Sequence, residues 1–235
     1  MGLENIKKWH CFFEQSGTFK KEFRRLGLEA VDYDILDDYG QTDFKIDLFA
    51  QISNAYEGKE SIFDGIGENE AIFAFFPCIR FTAMAQLKFT GNSYDMKGKS
   101  EEFLLRNSMK LHEELRDLYN RISELALICI ERKIPLVIEN PYSPDHYLRK
   151  FWPIKPKIID TNRRQFGDYY EKPTQYFFIN CDPLNNLIMD EATAWHKLKK
   201  INKEHGAERS LISPDYARRF IRTYLKAYDE TDADK

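Results

Sequence analysis

Apolar runs and helix-like stretches alternate over the first part of the chain. Residues 9–13 form an apolar run that predicts a strand, and residues 14–18 are mostly small or polar, as in a turn. A helix follows, with Gly27 placed to end it, and residues 29–34 predict a second strand that ends in acids. The helix is predicted from the spacing of Phe19, Phe23 and Leu26. This order is typical of a βαβ unit.

The same pattern predicts the rest of the architecture. Five further strands are predicted at residues 44–47, 71–76, 136–138, 157–160 and 174–179. Helices are predicted to begin near residues 48, 100, 143 and 213; the second carries a long apolar stripe, and the last runs to about residue 228. Residues 53–70 are predicted to be a helix end and a loop, and residues 79–98 a loop long enough to be a lid. With no repeat or linker, residues 1–235 are predicted to be one α/β domain.

Composition narrows the class of protein. Of the 235 residues, 43% are hydrophobic and 31% are charged, which suits a soluble domain with a sizeable core. The net charge of −3 gives no overall basic field, so any nucleic-acid contact would need a local basic patch. Neither a signal peptide nor a membrane-spanning run is present, and a cytoplasmic location is expected.

The cysteines and histidines show no metal-site spacing. Four cysteines are scattered along the chain, which fits a reducing compartment and predicts neither a zinc site nor a disulfide framework. The five histidines are equally dispersed, and packing or surface roles are the expectation for them. We therefore expect no metal. The cysteines are Cys11, Cys78, Cys129 and Cys181.

Chemistry-bearing residues follow two of the predicted strands. Pro77-Cys78 comes after the strand at residues 71–76, and Glu139-Asn140-Pro141 comes after residues 136–138. In an open parallel sheet, ligands bind at the carboxyl ends of strands, so a thiol and a carboxylate can meet there over one substrate. A methyltransferase that activates a pyrimidine ring needs this pair. A lone cysteine is more often buried packing, and Glu139 could simply cap the following turn.

The first turn has a second candidate role. Its small residues allow a ligand to approach the backbone, and an acid at the end of the second strand can accept ribose hydroxyls. Only one glycine is present in the turn, so an ordinary βα corner remains the alternative.

Five motifs in order resemble the cytosine-5 DNA methyltransferases, in particular small phage proteins described as DNA cytosine methyltransferase-like. The likeness covers roughly residues 9–180. The motifs are Phe13-Glu14-Gln15-Ser16-Gly17-Thr18-Phe19-Lys20, Asp34-Ile35-Leu36, Pro77-Cys78 with Phe81-Thr82, Glu139-Asn140-Pro141, and Gln165-Phe166-Gly167-Asp168 with Lys172-Pro173-Thr174. The resemblance implies a Rossmann-like, seven-stranded S-adenosylmethionine-dependent methyltransferase sheet with helices on both faces.

The resemblance also implies roles for individual residues. Cys78 would be the nucleophile, Glu139 would hydrogen-bond the ring, and Asn140 would complete the catalytic set. The cofactor would be S-adenosylmethionine and the partner a nucleic acid, with DNA expected and the target base flipped out of its stack. Cofactor-binding residues would be Phe13, Glu14, Ser16, Gly17, Thr18, Asp34 (or less favourably Asp32), Asp47 and Pro77. Substrate-binding residues would be Arg80, Arg163, Arg164 and Gln165.

Several departures from the family pattern keep alternatives open. Gln15 stands where the larger enzymes have glycine, Ile79-Arg80 replaces the usual residues after Pro-Cys, and only about fifty-five residues follow the last predicted strand. We therefore expect no separate target-recognition domain, and single-stranded DNA, RNA or a nucleotide become candidate substrates. Asn140-Pro141-Tyr142 also resembles the loop of amino-group methyltransferases.

A non-catalytic binding protein of the same fold, with a phage accessory or anti-defence role, is the competing class. A basic C-terminal stretch could face phosphates in such a protein, although a charged helix face is commoner. Its residues are Lys197, Lys199, Lys200, Lys203, Arg209, Arg218, Arg219 and Arg222.

Overall fold

A computed structural model describes residues 2–187 and 211–227 of the chain. Its centre is one seven-stranded sheet. The strands are β1 (Lys8–Phe12), β2 (Glu29–Asp34), β3 (Phe44–Lys45), β4 (Glu70–Ala74), β5 (Leu136–Pro141), β6 (Ile158–Asp160) and β7 (Thr174–Ile179). The helices are α1 (Thr18–Arg25), α2 (Leu48–Tyr56), α3 (Ala83–Phe89), α4 (Glu101–Glu131), α5 (Tyr147–Phe151) and α6 (Pro214–Phe220), and a π-helical turn, Ile221–Leu225, continues α6.

The strand order is β3-β2-β1-β4-β5-β7-β6. Strands β1 to β5 pair in parallel, whereas β7 runs antiparallel to both β5 and β6. The predicted α/β class and the seven strands are confirmed, and the sheet is compatible with a Rossmann-like fold. Strand β7 runs against its neighbours because the chain reverses between β6 and β7, where Gly167 has a φ of 92° that glycine readily adopts.

Helices cover both faces of this sheet. One core packs α2, α4 and α5 against alternate residues of the central strands, with Ile72, Leu136 and Phe177 at its centre. The other packs α1 and α6 against the remaining residues, with Trp9, Phe73 and Tyr176 at its centre. Alternate side chains of a strand point to opposite faces, so each near-continuously apolar strand supplies both cores.

The central helix and the last helix follow the sequence patterns closely. The stripe predicted near residue 100 forms α4, and Ser100 caps it by accepting a hydrogen bond from the Phe103 amide. Ser213 caps α6 in the same way through the Tyr216 amide, with Pro214 in the first turn. The sequence predicts that this helix ends near residue 228, and its π-helical continuation ends at Leu225.

Some predicted boundaries are wrong. The predicted helix start at Ser143-Pro144 is instead a turn, closed by the His146 amide on the Ser143 carbonyl, and α5 begins at Tyr147. Strand β5 runs on to Pro141 because it pairs with β7 at all six of its positions. The predicted loop at residues 79–98 contains α3, which Thr82 caps by accepting from the Ala85 amide.

Candidate functional site

A cavity of about 210 Å³ opens at the carboxyl edge of the sheet. Its walls come from the segments after β1, β2 and β4, the end of β5, the segment before β7 and the segment before α6. The sheet order reverses between β1 and β4, and the crevice at such a reversal is where open α/β sheets bind ligands. The lining residues are Phe13, Glu14, Gln15, Ser16, Tyr39, Phe75, Phe76, Pro77, Cys78, Glu139, Pro141, Arg163, Lys172, Leu211 and Ile212.

The turn after β1 is shaped by two residues in the left-handed region. Phe13 has a φ of 59°, which is strained for a bulky side chain, and its ring is held between Phe49 and Phe76 at centroid distances of 5.4 Å. Gly17 has a φ of 63°, and a Cβ there would lie 3.3 Å from both Gln41 Cβ and Lys20 Cε. A larger residue at Gly17 would therefore be strained and crowded.

Glu14 is buried beside the cavity and holds the start of α1. Its two carboxylate oxygens accept the amides of Phe19 at 2.6 Å and Lys20 at 3.2 Å. Burial raises the pKa of Glu14 to about 7, although these two hydrogen bonds oppose the shift. The carboxyl group therefore changes charge near neutral pH, and its charged form could pair with a cation bound in the cavity.

Ser16 and Thr18 lie at the same turn. Their hydroxyl oxygens are 3.1 Å apart, and Ser16 lines the cavity whereas Thr18 begins α1. Gly17 and Thr18 shape the turn from behind, outside the lining.

Cys78 is a half-buried residue of the cavity lining, in the turn that follows β4. The Phe81 amide donates to the Cys78 carbonyl at 2.9 Å and closes this turn. Burial raises the pKa of the Cys78 thiol, the charge of Lys172 opposes that shift, and the Glu139 carboxylate adds to it. The thiol is thus in the cavity, in the field of Glu139, and protonated at neutral pH.

Glu139 and Arg163 meet beneath the cavity. Glu139 Oε1 lies 3.6 Å from Arg163 Nη1 and accepts no hydrogen bond from the described residues. The fully buried guanidinium is anchored by Asp168, which accepts from Arg163 Nε at 2.6 Å, and it also lies over the Tyr216 ring. Desolvation disfavours the charged guanidinium, but the charges around it, that of Asp168 foremost, raise the pKa of Arg163 above its ordinary value.

Asn140 lies outside the cavity lining and ties two strand ends together. Its Nδ2 donates to the carbonyls of Phe76 and Glu139, each at 2.8 Å, while Oδ1 is buried without a described partner. The amide therefore fixes the segment after β4 against the end of β5. This places the Cys78 turn and Glu139 side by side.

The two acids of β2 differ in what they contact. Asp32 is fully buried, forms an ion pair with Lys20 Nζ at 2.9 Å and accepts the Asp43 amide at 2.6 Å. Asp34, at the strand end, accepts the Leu36 amide at 2.8 Å, and burial raises its pKa. Asp34 thus makes fewer contacts than Asp32, and it lies outside the cavity lining. Asp47 is exposed and caps α2 through the amides of Phe49 and Ala50.

The other predicted substrate-binding residues lie away from the cavity. Arg80 Nε donates to Glu114 of α4 at 2.6 Å, and Arg164 Nη1 lies 3.5 Å from Glu171. Gln165 is exposed on the short helical turn Arg163–Phe166. Of the four residues in that set, only Arg163 lines the cavity.

Eight lining residues were not among the predicted site residues. Four of them lie within two residues of predicted ones, namely Gln15, Phe75, Phe76 and Pro141, and the other four are Tyr39, Lys172, Leu211 and Ile212. Lys172 stands in the Lys-Pro-Thr motif, and this motif was the only available signal for it. Tyr39 comes from the loop after β2, held by a hydrogen bond from the Asp38 amide to Gln15 Oε1 at 3.4 Å. Leu211 and Ile212 come from the segment before α6, far along the chain. No local pattern marks these last three.

The described part of the basic C-terminal stretch contacts protein groups. Arg218 forms an ion pair with Glu22 of α1 at 2.9 Å, and Arg219 stacks over the Phe166 ring at 4.3 Å. The lysines of that stretch and Arg209 lie outside the described residues.

Two searches of the described residues concern other kinds of site. Within residues 2–187 and 211–227, no group of His, Cys, Asp and Glu is arranged to hold a metal ion. Over the same ranges, no helix combines the length and apolar character needed to cross a bilayer. Comparison with known proteins adds no assignment, since no protein-family model and no curated protein match this sequence.

Proposed function

We propose that the protein is an S-adenosylmethionine-dependent methyltransferase that acts on carbon 5 of cytosine in DNA or another nucleic acid. The observation that carries this proposal is the convergence of Cys78, Glu139 and the turn after β1 on one cavity at the point where the strand order reverses. A nucleophile, a group that can hydrogen-bond a pyrimidine and a cofactor turn are what the reaction requires, and all three line the same space.

The residues around the turn after β1 fit the methionine end of the cofactor. Ser16 and the Glu14 carboxyl offer polar groups on the wall, and the left-handed backbone at Gly17 has no room for a side chain. The Glu14 carboxylate can compensate a cationic group at this turn. Asp34, at the end of β2, is the acid that would bind the ribose of the cofactor. When bound, the cofactor supplies an electrophilic methyl group on a sulfonium.

The chain's own residues then account for the activation of the ring. The Cys78 thiol first loses its proton to water, and the thiolate forms a bond to carbon 6 of cytosine. The electron pair of the carbon 5–carbon 6 double bond shifts towards carbon 5 and nitrogen 3, and the Glu139 carboxyl group, carrying a proton taken up with the base, donates a hydrogen bond to nitrogen 3. Once carbon 5 carries the methyl group, it gives up its remaining proton to water, the electron pair of that bond re-forms the carbon 5–carbon 6 double bond, and the bond from sulfur to carbon 6 breaks with its electron pair returning to Cys78.

A methyl-transfer assay tests this proposal. Purified protein with methyl-labelled cofactor and separate pools of duplex DNA, single-stranded DNA and RNA should label cytosine at carbon 5 in at least one pool. Cys78→Ser should abolish the labelling, whereas Lys59→Gln, at an exposed lysine paired with Glu57, should leave it unchanged. Label on an adenine or cytosine amino group would support an amino-group methyltransferase instead. The geometry does not favour that reaction, because Asn140 donates to two backbone carbonyls outside the cavity lining.

A binding protein without catalysis is the second candidate, and one observation favours it: burial raises the pKa of the Cys78 thiol. A protonated thiol is a poor nucleophile. Calorimetric titration of the cofactor separates the possibilities. Binding without labelling of any nucleic acid supports this class, and absence of both binding and labelling contradicts the methyltransferase proposal.

A further inference from the structure

Lys172 supplies a cation to the cavity lining. It is half-buried, and its Nζ makes no ion pair or hydrogen bond with residues 2–187 or 211–227. Its backbone is well anchored: Thr174 Oγ1 donates to the Lys172 carbonyl at 3.3 Å, and the Tyr142 amide donates to the Pro173 carbonyl at 2.9 Å. The segment before β7 is thereby tied to the end of β5, and the ammonium group is kept at the cavity.

Two other charged groups that line the cavity have partners, namely Glu14 and Arg163. The Glu14 carboxylate accepts two amides of α1, and the Arg163 guanidinium is neutralised by Asp168 with Glu139 nearby. Among the described lining residues, Lys172 is therefore the cation without an ion-pair partner. Such a charge in a partly desolvated space acts strongly on its neighbours.

Cys78 is the neighbouring group on which the Lys172 charge acts. Cys78 lines the same cavity and is half-buried, and the Glu139 carboxylate, which also lines it, acts electrostatically on the thiol. Both burial and a nearby carboxylate disfavour a thiolate, and a nearby ammonium favours it. The balance of the three decides whether the thiol can act as a nucleophile.

We propose that Lys172 is a further positioning residue of this site, whose ammonium charge stabilises the thiolate of Cys78. The use of that thiolate in catalysis rests on the proposed function, but its stabilisation does not. The direction of the interaction agrees, since Lys172 lowers the pKa of Cys78 against the larger effect of burial. In the ionisation step the sulfur–hydrogen bond breaks, its electron pair remains on sulfur and the proton goes to water.

Alkylation of Cys78 by iodoacetamide, a neutral probe, tests the inference without cofactor or nucleic acid. Rates are measured from pH 6 to pH 10 by mass spectrometry of the peptide that contains Cys78. The other cysteines are buried, and Cys78→Ser gives the background. Lys172→Gln should move the alkylation profile to higher pH and slow the reaction near neutrality by about threefold for each unit of pKa increase, since a more basic thiolate is also more nucleophilic.

A charge series separates this effect from loss of packing. Lys172→Arg should keep the wild-type profile, and Lys172→Glu should move it further than Lys172→Gln. Lys59→Gln is the matched control and should change nothing, and circular dichroism and thermal unfolding identify any variant that is not folded. If the folded variants and the wild type share one profile, the inference is overturned.

The two proposals can fail separately. A protein that methylates no nucleic acid but shows the charge series keeps the thiolate role of Lys172. A protein that methylates cytosine with a profile insensitive to residue 172 keeps the proposed function and loses this inference.

Discussion

Two buried charge groups lie close to the carboxyl edge of the sheet, and they are built differently. In the first, here called the sealed cluster, Lys20 Nζ lies 2.9 Å from Asp32 and 3.1 Å from Asp43, and Asp32 also accepts the Asp43 amide. In the second, the cavity group, Cys78, Glu139 and Lys172 line one cavity, and neither Glu139 Oε1 nor Lys172 Nζ has a hydrogen-bond partner among the described residues.

The difference separates a structural role from a functional one. Buried charges are expensive unless they are paired, so the sealed cluster holds the loop after β2 in one arrangement and leaves nothing for a ligand. Polar groups left unpaired in a cavity cost stability, and they are candidates for binding a ligand. On this reasoning Asp32 belongs to the fold and Glu139 to the site, although both are carboxylates in or at the end of a strand.

Asp32→Asn should break the sealed cluster with the largest effect on stability. The change removes the fully buried partner of a Lys20 side chain that is only 4% exposed, which leaves a buried charge poorly compensated. We expect the free energy of unfolding to fall by about 4 kcal/mol, measured by urea denaturation. Asp43→Asn should cost clearly less, because Asp43 is 29% exposed. Equal losses for the two variants would contradict the description of this cluster as sealed around Asp32.

Glu14 gives a pH-dependent test of the cavity side. Its pKa is raised from 4.5 to about 7, so in the folded protein it holds a proton that the unfolded chain has already released. Stability from this group is therefore complete below pH 4.5 and is lost as the pH rises towards 7. Between pH 5 and pH 8 the loss should be about 2.5 kcal/mol.

Glu14→Gln removes that titration. Urea denaturation at pH 5 and pH 8 should show the wild type losing about 2.5 kcal/mol more than the variant over this interval. The comparison of slopes cancels the constant cost of altering the α1 contacts. An identical pH dependence in both proteins would show that Glu14 titrates normally.

Glu139→Gln tests the cavity group and should change the free energy of unfolding least. Arg163 keeps Asp168 as its partner, so the free energy of unfolding should change by less than about 1 kcal/mol. The pKa of Cys78 should fall, because the carboxylate that opposes the thiolate is gone. Iodoacetamide should then react with Cys78 about threefold faster at pH 7.5 for each unit of that fall, opposite to Lys172→Gln. A slower reaction would mean that Glu139 does not act on the thiol through its charge.

Local patterns predicted most of the fold. The strands from Glu29 to Asp34 and from Thr174 to Ile179 have the predicted bounds, since each is bounded by polar or turn residues. The helix at Ser213-Pro214 follows from a cap and a proline in the first turn. The predicted helix at Ser143-Pro144 carries the same signal and is wrong, because the Tyr147 amide donates to the Phe81 carbonyl and the chain is held in a turn by a distant contact.

The candidate site was predictable only in part, for the same reason. Seven predicted site residues line the cavity because they follow strands or lie beside them, and the strand edge brings them together. Whether Asp32 or Asp34 is available depends on Lys20 and Asp43, which no local pattern pairs with β2. The orientation of Asn140 depends on the Phe76 carbonyl, and the walls made by Tyr39 and Ile212 depend on how distant segments pack. The spacing of residues along the chain predicts none of these contacts.

Asp168 joins two parts of the molecule that are made at different times. One carboxylate oxygen holds Arg163 under the cavity, and the other accepts the amide of Ser213, immediately after the wall residues Leu211 and Ile212. During synthesis, the cavity lacks the wall made by Leu211 and Ile212 until these residues have left the ribosome and α6 has packed against the sheet. A nascent chain therefore gains this wall of the cavity only after the segment that leads into α6 has been made.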